Sequence, residues 1–518
     1  MSTSASMSGP SEIPHSGHSP GTASLLSSIS NLANTALGAG LLTLPRAMKL
    51  AGWAGGIIIL VGTALISATT GYFISAGIDK VGPGASIRTL CNRALPHLAI
   101  YGDLAAAITC LGGGTAFTVI ASTGLRDTFV GTHGARWPWT LLTMGFSAPI
   151  AFLSSMDSLR FTSMAALLTL AYVTLLVALY SFGLDGDGGL LDPFAAGARV
   201  PAKGTVIAFG QPLSALRALA SVSSAFSCHF NIPAIQAEME RPTPARVWAW
   251  YGGTFGFAFC LYTIVAMCGY MTFGDAVAAN ILSMYPSNAL TNTAQVGISL
   301  VVIFSYPLVG FGFRLSAVTL VQELRGCCGR SRASDAFGAK TSEERARASQ
   351  ESSVSMAAEV EPFTLRLSAL RNSTVAIDAD SFCRITPHAQ AAIAEGDRGG
   401  ASTWVPPPPP PPIHALQRLL SGLFVTDPME VYALLLFIGV SFTVCFLTED
   451  LGLILDFVGA VGSMSISYIV PALLYACLCT PSKAPEEPAC LYPLAVAVVP
   501  YGFAVLVVSL TLMFSQPE

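Results

Sequence analysis

Charge is scarce in this sequence. Only 11% of its 518 residues are Asp, Glu, Lys or Arg, against about 25% in ordinary soluble domains. A soluble chain of this length could not cover its surface with so few. The net charge is also small, −4 at neutral pH, so nothing marks a nucleic-acid partner. Of seven histidines, only His229 falls inside an apolar run. The sequence has no HExxH, no carboxylates paired at catalytic spacing and no G-x-x-x-x-G-K-[ST] loop. A membrane-embedded hydrolase, a metalloenzyme and an ATP-driven pump therefore lack the residues their chemistry needs. The chain reads as a non-enzyme without an organic cofactor.

Disulfide scaffolding is missing as well. Among twelve cysteines, Cys110, Cys228, Cys260, Cys268, Cys445 and Cys477 lie in apolar runs, and Cys327 and Cys328 are adjacent beside basic residues. No pair suits an exterior bridge. Residues 1–23 are rich in Ser, Gly and Pro and hold no Lys or Arg. The basic start of a secretory signal is thus absent, and the segment reads as a disordered cytoplasmic tail.

Apolar sequence is what remains: 52% of residues are hydrophobic and the mean hydropathy is +0.61. A bilayer core needs about 20 apolar residues per helix. Eleven runs qualify as spans: 24–48, 52–78, 98–125, 137–153, 161–182, 213–237, 247–273, 294–321, 431–447, 451–478 and 491–514. The predicted fold class is an all-α polytopic membrane protein. Its domains are the tail 1–23, helices one to eight within 24–321, an insert 322–430, helices nine to eleven within 431–514, and a short tail 515–518. The insert is rich in Ser, Ala, Arg and Glu and ends near seven prolines, Pro406 to Pro412. Such composition predicts disorder and a polyproline II run. That run is either a stiff spacer or a dock for an SH3- or profilin-like partner. Short loops on the two sides hold equal numbers of Lys and Arg. The basic ends of the insert, Arg325, Arg330, Arg332 and Arg418, tip the insert and N-terminus to the cytoplasm.

The first span is unusual for a helix in lipid. Asn31, Asn34 and Thr35 precede Gly38-Ala39-Gly40, and Pro45 follows. Each glycine weakens a helix by about 1 kcal/mol relative to alanine, and proline supplies no backbone N–H. An interrupted helix exposes N–H groups and a positive dipole end that suit a carboxylate. Upstream carbonyls and the Asn34 amide oxygen suit a cation. The competing reading is close helix packing through small residues. The sixth span has a second polar interruption at Ser227, Cys228, His229 and Asn231, with Pro233 after it. Two interrupted helices five spans apart predict a five-plus-five inverted repeat with its site at the midplane. His229 is either a titrating group or a neutral, hydrogen-bonded anchor of the sixth-helix break. Among charged residues in or beside spans, Asp103 and Asp456 read as structural or vestibule groups. Glu238 reads as a partner of Arg241 or Arg246 or an inner gate, and Arg314 as a group that snorkels to the cytoplasmic interface or contacts the insert.

These residues also stand in a familiar order. The motifs are N-L-A-N-T-A-L-G-A-G-L-L-T-L-P at 31–45, F-S-C-H-F-N-I-P-A-I-Q-A-E-M at 226–239, G-Y-M-T-F-G at 269–274, Y-P-L-V-G-F-G-F-R at 306–314 and V-G-A-V-G-S-M-S-I-S-Y-I-V-P-A-L-L-Y at 458–475. Together they resemble the amino acid/auxin permease family, in particular its sodium-coupled neutral amino acid transporters and vacuolar carriers. The resemblance covers the spans, not the tail or the insert. It implies a LeuT-like fold of eleven helices with broken first and sixth helices, a neutral amino acid substrate, and alternating access. Asn34 and Ser305 match positions implicated in sodium binding. Gly38, Ala39 and Gly40 match the backbone that receives the substrate carboxylate, with Asn31, Thr35, Cys228 and His229 beside them. Phe117 stands where the family often carries Tyr.

The expected function is therefore a secondary active symporter for neutral amino acids, coupled to sodium or protons, in the plasma membrane or a vacuolar or lysosomal membrane. Its partners are the amino acid and membrane lipid. A rival from another class is an amino-acid-sensing receptor that signals through the long insert.

Overall fold

The computed structural model describes residues 21–38, 40–131, 133–152, 160–183, 191–194, 202–337, 425 and 427–515. Ala39, Asn372 and the run from Pro406 to Pro412 lie outside the described residues. The chain divides into two compact units, Met1–Val321 with Leu420–Glu518, and Gln322–Leu419. The first holds the apolar runs.

Among its described residues that unit is built of helices and their connections. In chain order the helices are α1 (Leu25–Ala36), α2 (Gly40–Ala51), α3 (Trp53–Val81), α4 (Ile87–Ala94), α5 (Pro96–Phe129), α6 (Trp137–Ala151), α7 (Arg160–Phe182), α8 (Pro212–Ala225) and α9 (Ile232–Glu238). Then follow α10 (Pro244–Phe273), α11 (Ala289–Phe337), α12 (Pro428–Leu447), α13 (Leu451–Leu478) and α14 (Leu491–Ser515). Local chemistry sets several starts. Ser24, Ser86 and Thr243 each accept a backbone N–H in the first turn of α1, α4 and α10, which satisfies a donor the helix cannot.

Among the described residues, eight helices are long and apolar enough to cross a membrane, or nine when the bent pair α1 and α2 is taken as one. The eleven expected spans differ from this at two places. Helix α6 has only 15 residues, about 22 Å at 1.5 Å per residue. The sixth run is divided into α8, a 3₁₀ turn at His229–Asn231, and the seven residues of α9. Helix α13 carries π turns over Val458–Ser463 and Ser465–Ile469. Its glycines press on neighbours there: a Cβ on Gly459 would lie 2.0 Å from the Ala220 carbonyl oxygen, and one on Gly462 2.4 Å from Thr109 Oγ1.

The core gathers around α10, whose Trp250, Tyr251, Tyr262 and Tyr270 are all fully buried. Apolar side chains such as Leu141, Leu142 and Phe146 of α6 point outward instead, as suits a lipid-facing surface. With its long apolar helices, this is an integral multi-pass membrane protein.

Both ends of the bundle are laced. At one end Ala23 pairs with the 238–240 segment through two backbone hydrogen bonds of 2.8 and 2.9 Å. Arg88 pairs with Asp103 there, Lys80 with Glu486, and Arg314 with Glu430 at 3.5 Å. At the other end the segment before α8 forms a collar. Trp53 and Ala54 donate to Ile207 and Ala208, Gly210 donates to Ala51, and Gly204 donates to Phe273. Four glycines permit this closeness. A Cβ on Gly52, Gly204, Gly210 or Gly274 would meet a neighbouring atom at 2.0–2.5 Å. Gly52 and Gly274 also have φ of 76° and 62°, a region that disfavours a side chain.

Candidate functional site

The α1–α2 bend is 60°. Leu37 N–H still reaches the Ala33 carbonyl, but Gly38 N–H folds back to Ala36, so the i→i+4 ladder stops. Helix α2 restarts at Gly40, whose backbone lies against Ala225, the last residue of α8. A Cβ on Gly40 would come within 2.5 Å of Ala225 Cβ. The two helix interruptions therefore touch.

Beside them is a small cavity of about 40 Å³, lined by Asn34, Thr35, Leu37, Gly38, Phe117, Phe230, Asn231, Ile298, Val301, Val302, Ser305, Leu308 and Val309. No charged side chain lines it. At roughly 10–15 Å³ per water it holds about three waters, less than an amino acid. Thr35 donates to the Asn31 carbonyl, and Asn231 Nδ2 donates to Thr35 Oγ1 at 3.2 Å. That bond ties α1 to the interruption between α8 and α9. Phe117 of α5 stacks on the bend, with its ring 3.4 Å from where a Gly38 Cβ would sit.

The residues singled out from sequence thus fall into two groups. Asn34, Thr35, Gly38 and Ser305 line the cavity. Asn31, Gly40, Cys228 and His229 are outside its lining, and Ala39 is not among the described residues. Cys228 and His229 are fully buried. His229 Nε2 faces both the Ser67 carbonyl at 3.1 Å and Thr70 Oγ1 at 3.0 Å. A carbonyl only accepts, so Nε2 carries the proton, and the ring anchors the second interruption to α3. Nδ1 has no hydrogen-bond partner among the described residues.

A second, wider space opens near the glycine collar. This basin of about 640 Å³ is lined by Arg46, Lys49, Arg126, Asp127, Arg217 and Glu449, among others. Several of its charges are mutually engaged. Arg126 bonds Asp127 and Glu449, and Arg136 reaches Glu449. Just behind the lining, buried Asp456 receives Arg46 at 3.0 Å and Ser221 Oγ at 2.6 Å, with Arg217 at 3.8 Å. Val119 and Thr123 line the basin and Phe117 lines the small cavity. On α5 these positions are less than two turns apart, so the cavity lies close beneath the basin.

Sequence reasoning misses the groups that join distant segments. Tyr262, Thr70 and Ser67 carry no motif. Arg46 carries no motif either, and its carboxylate partner stands 410 residues away.

The geometry defines an all-α, multi-pass integral membrane protein with a largely apolar cavity, carrying a few polar groups, at two touching helix interruptions. Comparison with known proteins makes the assignment specific. The family described as transmembrane amino acid transporter protein matches residues 21–324. Over 298 residues the chain is 31% identical to vacuolar amino acid transporter 5 of Schizosaccharomyces pombe, covering 56% of this chain and 67% of the relative. Over 466 residues it is 25% identical to vacuolar amino acid transporter 7 of Saccharomyces cerevisiae, covering 88% and 89%. A third relative, sodium-coupled neutral amino acid transporter 7 of Danio rerio, is 26% identical over 314 residues, covering 57% and 64%. The chain belongs to the transmembrane amino acid transporter family. It is a transporter rather than an enzyme, and the receptor reading has no support among these relatives.

Proposed function

We propose that the protein is a secondary active transporter of neutral amino acids, working by alternating access and driven by sodium or protons. The observation that carries this reading is the cavity at the two interruptions. It combines Asn34, Thr35, Gly38, Asn231 and Ser305 with apolar side chains and no formal charge. A charged substrate side chain would lie there without a counter-ion, at a large desolvation cost. The name of one relative, a sodium-coupled neutral amino acid transporter, favours the same class of substrate, and the vacuolar names of others favour a vacuolar membrane.

In this reading the N–H groups opening α2, near Gly38 to Gly40, receive the substrate carboxylate. Asn34 and Ser305 give oxygen ligands to a sodium ion. Asn31, Cys228 and His229 shape the surrounding walls, with His229 the group to examine for proton coupling. The cavity must expand to admit substrate. The basin is the approach from one side, and the Arg46–Asp456 pair joins α2 to α13 at its floor.

Eleven crossings and a LeuT-like five-plus-five repeat belong to the same proposal. Contacts at the helix ends support it. Helix α6 starts beside Glu449 through Arg136 and ends where the Phe152 carbonyl receives the Val425 N–H. The sixth run starts at the collar and ends at Ala23. Each therefore runs from one end of the bundle to the other. This reading assigns no part in substrate binding to the tail 1–23, the insert 322–430 or the C-terminal residues 515–518. The proline run in the insert is left as a spacer or partner dock.

The test is direct. Purified protein in liposomes is offered a panel of labelled amino acids under imposed sodium or pH gradients. Uphill uptake of neutral amino acids under one gradient supports the proposal. Uptake limited to charged amino acids, or none under either gradient, overturns it.

A further inference from the structure

Tyr262 lies near the middle of α10 and is fully buried. Its hydroxyl is 2.7 Å from the Ala36 carbonyl and 2.7 Å from the Ala225 carbonyl. Those two residues are the last of α1 and the last of α8. Each stands at the point where its helix is interrupted, and each carbonyl has lost its ordinary i+4 donor, although Gly38 N–H turns back to the Ala36 carbonyl at 2.8 Å. One phenolic proton thus serves the two helix ends at once.

The chemistry of this arrangement is specific. A tyrosine hydroxyl has a single proton, so the two bonds are a three-centre interaction. The ends of α1 and α8 both carry partial negative charge, and they are held within two hydrogen-bond lengths of each other. Without a shared donor they would repel in a buried, low-dielectric setting. Gly40 packs its backbone against Ala225 beside the same point, and the ring of Tyr262 sits edge-on to Phe226 at 5.0 Å.

We propose that Tyr262 is a positioning residue that registers the two helix interruptions and makes them move as one unit. It does not touch substrate. It sets the relative placement of the α1 and α8 ends, and through them the cavity between Asn34, Gly38 and Asn231. The link from this clasp to transport rests on the function proposed above, but the clasp itself does not.

The test uses Tyr262→Phe, which keeps the ring and its packing on Phe226 and removes only the hydroxyl. The control is Tyr285→Phe. Tyr285 is also buried, and its hydroxyl has no hydrogen-bond partner among the described residues. Wild type and both variants of the full chain are placed in lipid nanodiscs and followed by hydrogen–deuterium exchange. Amides at 37, 38, 226, 227 and 231 are protected by hydrogen bonds of the interruptions themselves, so their exchange reports local opening. Tyr262→Phe should accelerate exchange several-fold at both sites, and Tyr285→Phe at neither. In liposomes, Tyr262→Phe should raise the half-saturating amino acid concentration about five-fold or more, with maximal rate within about two-fold of wild type, the scale of losing one buried hydrogen bond.

Unchanged exchange at both interruptions, or a change at only one, overturns the clasp. Accelerated exchange at both with unaltered half-saturation overturns the positioning role. A wild type that shows no uptake, with exchange accelerated at both sites in Tyr262→Phe, keeps the clasp and overturns the proposed transport function instead.

Discussion

Substituting Gly40 by alanine tests whether close backbone approach between the two interruptions is required. The added Cβ would lie 2.5 Å from the Ala225 β-carbon and 2.6 Å from its α-carbon. Carbon atoms prefer separations of about 3.5–4.0 Å, so α2 and α8 must part by roughly 1 Å. Overpacking of that kind costs about 1–3 kcal/mol. Intrinsic helix propensity acts the other way, favouring alanine by about 1 kcal/mol, so a net loss identifies the clash as the larger effect. The backbone N–H is retained, so any loss of transport comes from spacing and not from a missing donor. Gly62 of α3 is the control, because nothing lies within 4 Å of its added Cβ. The assay is thermal stability in detergent, read by size exclusion after heating, together with uptake in liposomes. Gly40→Ala should lower both, and Gly62→Ala should leave both unchanged or raise stability slightly. Adding Ala225→Gly should rescue only in part, since it deletes the clashing methyl group but leaves the backbone carbon behind it in place. A Gly40→Ala protein with wild-type melting and uptake would refute the reasoning.

Three further outcomes are expected. Ser305→Ala and Asn34→Ala should each raise the sodium concentration for half-maximal uptake, by about five- to 150-fold for roughly 1–3 kcal/mol per lost oxygen ligand. Uptake that follows only an imposed pH gradient, with both variants silent, rules out that cation site. Asp456→Asn should cost about 3–5 kcal/mol in the melting assay, because Arg46 and Arg217 lose the carboxylate they share. The paired replacement Arg46→Met with Asp456→Leu should be far milder, and an equal loss in both would disprove the uncompensated-charge explanation. Finally, Asn372, which lies in the chain's sole N-x-[ST] sequon, should stay unmodified in glycosylating cells. A glycan there would invert the assigned orientation.

Much of the architecture is readable because lipid imposes a simple rule. Backbone groups in hydrocarbon must bond within the segment, so long apolar runs such as those of α3, α5 and α14 have to be helices. The family is readable too, since its motifs are contiguous stretches such as 31–45. What stays hidden depends on distance in space. The partner of Arg46 is far along the chain, and only folding buries the two together. Tyr262 looks like one more aromatic in an apolar run, for only folding brings the Ala36 and Ala225 carbonyls to it. The π turns of α13 are equally invisible, and the glycines there meet Ala220 and Thr109, neighbours that only folding supplies. Helix α6 is the opposite case: its apolar run is plain, but its short length leaves its crossing to be argued from its partners at the two ends.

The glycine collar has a mechanical consequence. It fastens the 51–54 corner, the stretch before α8 and the end of α10 through backbone atoms, while α13 is joined to α2 and α8 by the side chains of Arg46, Ser221 and Arg217 on Asp456. Side chains can exchange partners by changing rotamer, whereas backbone links yield only if the loop itself is rebuilt. Any opening toward that end should therefore carry the outer ends of α2, α3, α8 and α10 as one rigid frame. The seam that parts would run along Asp456 and Glu449, so a cross-link across that seam would arrest the cycle, and one placed within the collar would leave it running.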